Sequence, residues 1–223
     1  MQRHRTLAVL ALGCLVLCTM AAVPSTTVRA PRPCTAAIAL RDLVPAEQML
    51  GTKLFTWPLL AASYDHVTYL EASDGDDGRV RVQAALAAER AAQGGEACSV
   101  DLLFLAHGDQ FAAWVEELPK NELPPLRLVY DTGAGDATQG ERWLALGARA
   151  FVGHPGNNVA PVFYAFFLPA WLGGATVEDA VASSNMRTFA ILRGTRAYLG
   201  DESASLWRGT RARLFGDART AKP

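Results

Sequence analysis

Beyond residue 33, short apolar runs alternate with longer segments of helical character. The apolar runs have the length of strands, and the run at 100–106 is almost continuously apolar, as expected for a strand covered on both faces. Strands are predicted at 36–40, 67–70, 100–106, 126–130 and 149–152. Helices are predicted at 45–62, 80–93, 111–118, 138–146, 157–171 and 176–192. The alternation predicts an α/β fold, a three-layer sandwich with a mainly parallel sheet.

Residues that cap or interrupt helices refine these predictions. Thr138 and Glu141 have the spacing of a capping box, and Gly147 is expected to close the helix that they open. Pro58 and Pro169 are expected to interrupt or kink the helices in which they fall. The large aromatic side chains of the later helices are expected to pack against the sheet. They are Trp143, Phe163, Phe166, Phe167 and Trp171.

The first thirty residues have the pattern of a secretory signal. Arg3 and Arg5 precede an apolar run at 7–23, which is followed by a stretch rich in proline, serine and threonine. The segment 1–30 is therefore predicted to be a signal peptide or an N-terminal anchor, and the protein to be exported to the periplasm, the cell envelope or the extracellular space. Two alternatives to cleavage stay open, an uncleaved helix and lipid attachment at Cys14, which follows Ala-Leu-Gly. Contact with a membrane is expected only through this segment.

Composition favours one globular domain. Half of the 223 residues are apolar and 19% are charged, which is enough apolar surface for a sizeable core. A domain is predicted over 34–208, followed by a flexible basic tail at 209–223. The formal net charge of −1 gives no basic face for nucleic acid, so a nucleic-acid partner is not expected. No pattern in the sequence predicts a cofactor.

Removal of the signal would leave two cysteines, Cys34 and Cys98. An even pair in an exported chain predicts a disulfide, because the compartments beyond the membrane are oxidising. Two unpaired buried thiols are the alternative.

Three successive predicted strands end in polar, loop-forming triplets. These are His107-Gly108-Asp109, Asp131-Thr132-Gly133 and Gly153-His154-Pro155. In an open parallel sheet, ligands bind beyond the carboxyl ends of the strands, so the triplets predict a binding crevice. Neighbouring strands lie about 4.8 Å apart, which would let His107 and Asp131 meet and form a base-catalytic pair. The alternatives are that Asp131 bonds its own turn and that both histidines have no chemical role.

The order of these motifs resembles the caspase-like superfamily of cysteine peptidases, in particular its CHAT and gingipain-type domains. The resemblance rests on the His-Gly pair at 107–108, the polar turn at 128–133, the segment Gly-Ala-Arg-Ala-Phe-Val-Gly at 147–153 and the aromatic helix that follows. Residues 198–201, with Leu206, resemble a strand that closes many of those domains, although Glu202 replaces the usual proline.

The resemblance implies that His107 is the general base and that a cysteine at the end of the next strand is the nucleophile. That cysteine would fall at Tyr130 or Gly133, and neither side chain forms a thiolate. The chain therefore resembles a catalytically degenerate member, a pseudo-peptidase whose crevice binds a peptide or protein ligand. The candidate binding residues are Gly108, Asp109, Thr132, Gly133 and His154. Two alternatives are a working hydrolase that uses His107 with Asp131 and a structural protein of the cell envelope.

Other chemistries have weaker support. His107, Asp109, Asp131 and His154 are all metal-ligand types, but no HxH or HExxH spacing accompanies them, so no metal site is predicted. Thr132 as a substitute nucleophile has only its position beside His107 in its favour. The segment 131–134 resembles the Asp-Thr-Gly turn of aspartic peptidases, yet a single copy among predicted helices contradicts that all-β fold.

Overall fold

The computed structural model describes residues 33–42, 46–71, 77–92, 98–106, 110–134, 137–156, 160–195, 200 and 202–223. Residues 33–223 form one compact unit built on a six-stranded sheet. The predicted signal segment 1–30 and Cys14 lie outside the described residues. In the described part of the chain, none of the helices combines the length and the apolar character that a membrane span needs.

The sheet is mainly parallel, as the sequence predicts. Its strands are β1 (Thr35–Asp42), β2 (His66–Glu71), β3 (Ser99–Ala106), β4 (Leu126–Ala134), β5 (Ala150–His154) and β6 (Arg213–Gly216). Their order in the sheet is β2-β1-β3-β4-β5-β6, and only β6 runs antiparallel to its neighbour. Because β1 to β5 are parallel, their carboxyl ends share one edge of the sheet.

Seven helices among the described residues cover the two faces of the sheet. They are α1 (Ala46–Ala61), α2 (Asp77–Ala91), α3 (Phe111–Glu116), α4 (Ala137–Ala145), α5 (Ala160–Leu172), α6 (Val177–Gly194) and α7 (Glu202–Thr210). Alternate side chains of β1 divide between the two cores: Ile38 packs with α2, α3 and α4, and Ala39 packs with α1, α5 and α6. The three-layer α/β sandwich predicted from the sequence is therefore the observed fold.

The predicted breaks at the two helical prolines do not occur. Helix α1 continues through Pro58 and α5 continues through Pro169. Helix α4 begins at Ala137, so Thr138 lies inside the helix instead of capping it. Gly147 closes this helix with a φ of +94°, a conformation that glycine adopts at little cost.

The aromatic core is confirmed with one exception. Trp143, Phe163, Phe167 and Trp171 are fully buried. Phe166 is only partly buried, and the guanidinium of Arg187 covers its ring at 5.6 Å.

The C-terminal region differs from the prediction of a flexible tail at 209–223. Its residues form β6, which pairs with β5, and the segment after β6 returns along the start of α6, where Val177 N donates to Thr220 O. The predicted closing strand is also wrong at Leu206, which lies in α7. Residues 198, 199 and 201 lie outside the described residues.

The predicted disulfide is present. Cys34 and Cys98 are bonded, with their Cα atoms 4.4 Å apart, and they immediately precede β1 and β3. The bond therefore ties together the amino ends of two neighbouring parallel strands.

Candidate functional site

The carboxyl ends of β3, β4 and β5 lie side by side, which confirms the sequence-based expectation that these strands end at one edge. Phe104 of β3 pairs with Asp131 of β4, and Asp131 pairs with Gly153 of β5. His107, Gly108 and Asp109 follow β3 in the sequence but lie outside the described residues. The contact between His107 and Asp131 therefore stays a prediction.

Asp131 acts within its own turn. The backbone N–H of Gly133 donates to Asp131 Oδ1 at 2.8 Å, and the Asp131 side chain is buried. This is the Asx-turn role that short acidic side chains commonly have in loops. It holds the backbone at 131–133 in the shape that ends β4.

Thr132 fastens the end of β4 to the end of β3. Its hydroxyl accepts from Ala106 N at 3.0 Å and lies 3.1 Å and 3.0 Å from the carbonyl oxygens of Phe104 and Ala106, to which it can donate. A hydroxyl engaged in this way does not have the free orientation of a nucleophile. The position supports a structural role for Thr132 at this edge.

Tyr130 fills one of the two positions where the resemblance implies a cysteine. Its ring is fully buried and stacks with Tyr164 and Phe167, at centroid distances of 5.4 Å and 5.1 Å. Burial raises the pKa of Tyr130 well above its usual value, so the hydroxyl stays protonated. Gly133, at the other position, is buried and carries no side chain.

His154 is a buried connector rather than a residue of an open pocket. Its Nδ1 lies 2.7 Å from Thr210 O and its Nε2 lies 3.1 Å from the Tyr130 hydroxyl. A carbonyl can only accept, so Nδ1 carries the proton and Nε2 accepts from Tyr130. Burial lowers the pKa of His154 to about 4, and the bond to Thr210 offsets part of that effect. The neutral ring joins β4, β5 and the end of α7, and neither nitrogen has a lone pair to spare for a metal.

An open pocket lies beyond the carboxyl end of β5. It has a volume of about 450 Å³ and contains two arginines, Arg208 of α7 and Arg213 of β6, with no acidic residue in its described lining. Its other lining residues are Pro155, Gly156, Ser205 and Gly209. The sequence does not predict this pocket, because Arg213 falls in the predicted tail 209–223, Arg208 ends the predicted domain, and the long separation between β5 and β6 leaves no local signal of their contact. The pocket suits an anionic group.

A third arginine lies at the same edge of the sheet. Arg41, at the carboxyl end of β1, is fully buried, and its guanidinium nitrogens have no hydrogen-bond partner among the described residues. Burial lowers the pKa of Arg41. The neighbouring hydroxyl of Tyr69 acts to raise that pKa, although the two side chains do not form a hydrogen bond. An unpaired buried guanidinium is costly, and an anion would offset much of that cost. The signal in the sequence is an arginine that directly follows the apolar run 36–40.

The two described cysteines lie far from this edge. Cys34 and Cys98 precede β1 and β3, whereas the candidate site lies beyond the carboxyl ends of those strands. A strand of eight residues rises about 3.3 Å per residue, so the two edges are separated by roughly 23 Å along β3. Neither sulfur contributes to the described part of the carboxyl edge.

The chain matches no family model, and no curated protein is significantly similar to it.

Proposed function

We propose that this protein is an exported caspase-like domain that lacks peptidase activity and binds a peptide or protein ligand at the carboxyl edge of its sheet. The observation that carries the proposal is the occupant of the nucleophile position. Tyr130 is buried and donates to His154, and Gly133 carries no side chain. Without a thiolate, the covalent mechanism of the cysteine peptidases has no first step.

The polar side chains at the carboxyl end of β4 also favour binding over catalysis. The Asp131 carboxylate accepts from Gly133 N, and the Thr132 hydroxyl is engaged with the end of β3. Both groups therefore shape the loop on which a ligand would rest. The disulfide between Cys34 and Cys98 is compatible with the exported location that the N-terminal sequence predicts.

The charge of this edge favours a ligand that carries an anionic group. Arg208 and Arg213 share one open pocket, and Arg41 is buried without a partner among the described residues. Arginine binds carboxylates through paired N–H donors, which gives both affinity and orientation. An acidic side chain or a free C-terminal carboxylate of a peptide fits the two arginines of the open pocket.

Hydrolysis of peptide and ester substrates by the purified protein tests the absence of catalysis. We expect no turnover by the wild type, by His107→Ala or by Asp131→Asn. Turnover by the wild type that disappears in His107→Ala would contradict the proposal and support the hydrolase alternative. If turnover also disappeared in Asp131→Asn, His107 and Asp131 would be identified as a catalytic pair.

Binding of acidic peptides tests the ligand chemistry. Fluorescence polarisation with labelled acidic and matched neutral peptides should show preference for the acidic ones, and Arg208→Gln with Arg213→Gln should weaken that binding about tenfold for each arginine, or about 1.4 kcal/mol. Arg219→Gln removes the same charge from an exposed position outside the pocket and should leave binding unchanged. No binding of any peptide in the panel would favour the structural-protein alternative.

A further inference from the structure

A second cluster of reactive side chains lies at the amino edge of the sheet. Cys34 precedes β1, Cys98 precedes β3 and His66 begins β2. These three strands are neighbours in the order β2-β1-β3, so all three residues reach the same edge. One ligand atom from each residue lies within 4.8 Å of the others. This spacing allows all three atoms to bind one ion.

A buried carboxylate holds the imidazole of this cluster. Glu89 Oε2 lies 3.2 Å from His66 Nδ1, and the side chain of Glu89 is only 10% exposed. An ionised carboxylate can only accept, so Nδ1 carries a proton and a neutral ring has its lone pair on Nε2. Histidines that bind metals commonly have this arrangement, in which a carboxylate fixes the tautomer and the orientation of the ring.

We propose that Cys34, Cys98 and His66 form a metal site that opens when the disulfide is reduced and then binds one zinc ion. Two thiolates and one imidazole are ligands that Zn²⁺ prefers, and a water molecule can complete the tetrahedron. In the oxidised protein the two sulfurs are bonded to each other and cannot act as thiolate ligands. Disulfide and metal therefore exclude one another at the same pair of strand ends.

The chemistry of the switch requires a reductant of the dithiol class. The dithiol gives two electrons and two protons to the Cys34–Cys98 bond, which becomes two thiols, and the dithiol leaves as a cyclic disulfide. Zinc binding then releases the two thiol protons, since the thiolates are the ligands. The half-exposed His66 leaves the cluster accessible from solvent on its side.

The test uses the full chain, oxidised or reduced with a dithiol that is removed without oxygen before metal is added. We expect the reduced protein to bind one Zn²⁺ per chain by elemental analysis. Co²⁺ in place of zinc should give the thiolate charge-transfer band and the intense visible bands of a tetrahedral site. The oxidised protein should bind neither ion at this site. Equal uptake by the oxidised protein would overturn the switch.

Variants assign the ligands. His66→Ala should abolish stoichiometric uptake, Cys34→Ser with Cys98→Ser should also remove the charge-transfer band, and Glu89→Gln should weaken zinc binding about tenfold. His107→Ala is the matched control, since it removes a histidine that follows the opposite end of β3, and it should bind zinc as the wild type does. Circular dichroism establishes that each variant is folded. Unchanged zinc affinity in folded His66→Ala, or no uptake by the reduced wild type, would overturn the site.

Discussion

Two arginine–carboxylate pairs of this protein have the same bidentate geometry in different surroundings. Arg127 donates to buried Asp101 at 2.8 Å and 2.7 Å, and Arg142 donates to exposed Glu116 at 2.9 Å and 2.6 Å. The buried carboxylate also accepts from Tyr64 and Trp171, at 2.5 Å and 2.8 Å. Burial lowers the pKa of Arg127, but the charge and hydrogen bonds of Asp101, together with Tyr64, more than offset this effect, so the pKa of the guanidinium is raised.

Loss of the buried charge should therefore cost far more than loss of the exposed one. Asp101→Asn leaves the Arg127 guanidinium buried without a counter-charge, and we expect the free energy of unfolding to fall by about 3–5 kcal/mol. Glu116→Gln, the matched control, should cost less than about 1 kcal/mol because solvent screens the exposed pair. Urea unfolding measures both values. Similar losses in the two variants would contradict the role assigned to burial.

The buried histidine gives the protein a defined acid sensitivity. The pKa of His154 is about 4 in the folded protein and about 6.5 in an unfolded chain, so the unfolded state binds the proton first as the pH falls. The stabilisation is complete above about pH 6.5 and is lost progressively as the pH falls through 4, by roughly 3 kcal/mol in total. The imidazole resonance of His154 should stay that of the neutral ring until near pH 4. Titration near pH 6.5 in the folded protein would refute this assignment.

The buried pair also shows how far residue-level prediction could reach. Asp101 is the only charged residue in the apolar run 100–106, and Arg127 is the only one in 126–130. Opposite charges in neighbouring apolar strands could have indicated the pair. Their alignment could not be predicted, because the β3–β4 register shifts between Val100 and Asp101 and Arg127 falls in that shift.

At the scale of elements, β6 and α4 approach each other closely at one point. A Cβ atom added at Gly140 of α4 would lie 2.5 Å from the ring of Phe215 in β6. The next residue of β6, Gly216, is also closely confined, since it has a φ of +91° and a Cβ atom added there would clash with Arg149 O. The absence of a side chain at Gly140 is therefore what lets β6 pack under α4.

A methyl group at Gly140 should displace this strand. Gly140→Ala is expected to lower the free energy of unfolding by about 1–3 kcal/mol and to speed amide exchange in β6. Gly194→Ala, in α6, is the control, because its Cβ would meet no atom within 4 Å and alanine favours the helix. The packing role of Gly140 would be contradicted if Gly194→Ala sped amide exchange in β6, or if Gly140→Ala left that exchange rate unchanged.

The elements that the sequence predicts well are those with a local signal. The parallel strands are long apolar runs, and Thr176 caps α6 by accepting from Asp179 N, a contact between residues three apart. Strand β6 has only Leu214 and Phe215 as apolar residues, set among arginines, and three described helices separate it from its partner β5. The pairing of β6 with β5 depends on the tertiary structure, so no local sequence pattern predicts it. The arginine pocket was missed with it.

At the scale of the whole molecule, the disulfide is the strongest covalent constraint described. It joins residues separated by 64 positions, and the chain-entropy relation gives about 4 kcal/mol for a loop of that length. Reduction, or Cys34→Ala with Cys98→Ala, should lower the urea midpoint accordingly. A midpoint that does not move would show that the amino ends of β1 and β3 are held by packing alone.

The sheet is completed by a strand that arrives late in the chain. Before residues 213–216 are synthesised, β5 is an exposed edge strand of the sheet, although all of its residues are buried in the folded protein. An exposed apolar edge strand of this kind can pair with strands of other incompletely folded copies of the chain. Ribosomal synthesis therefore exposes this edge until Leu214 and Phe215 of β6 pair with it.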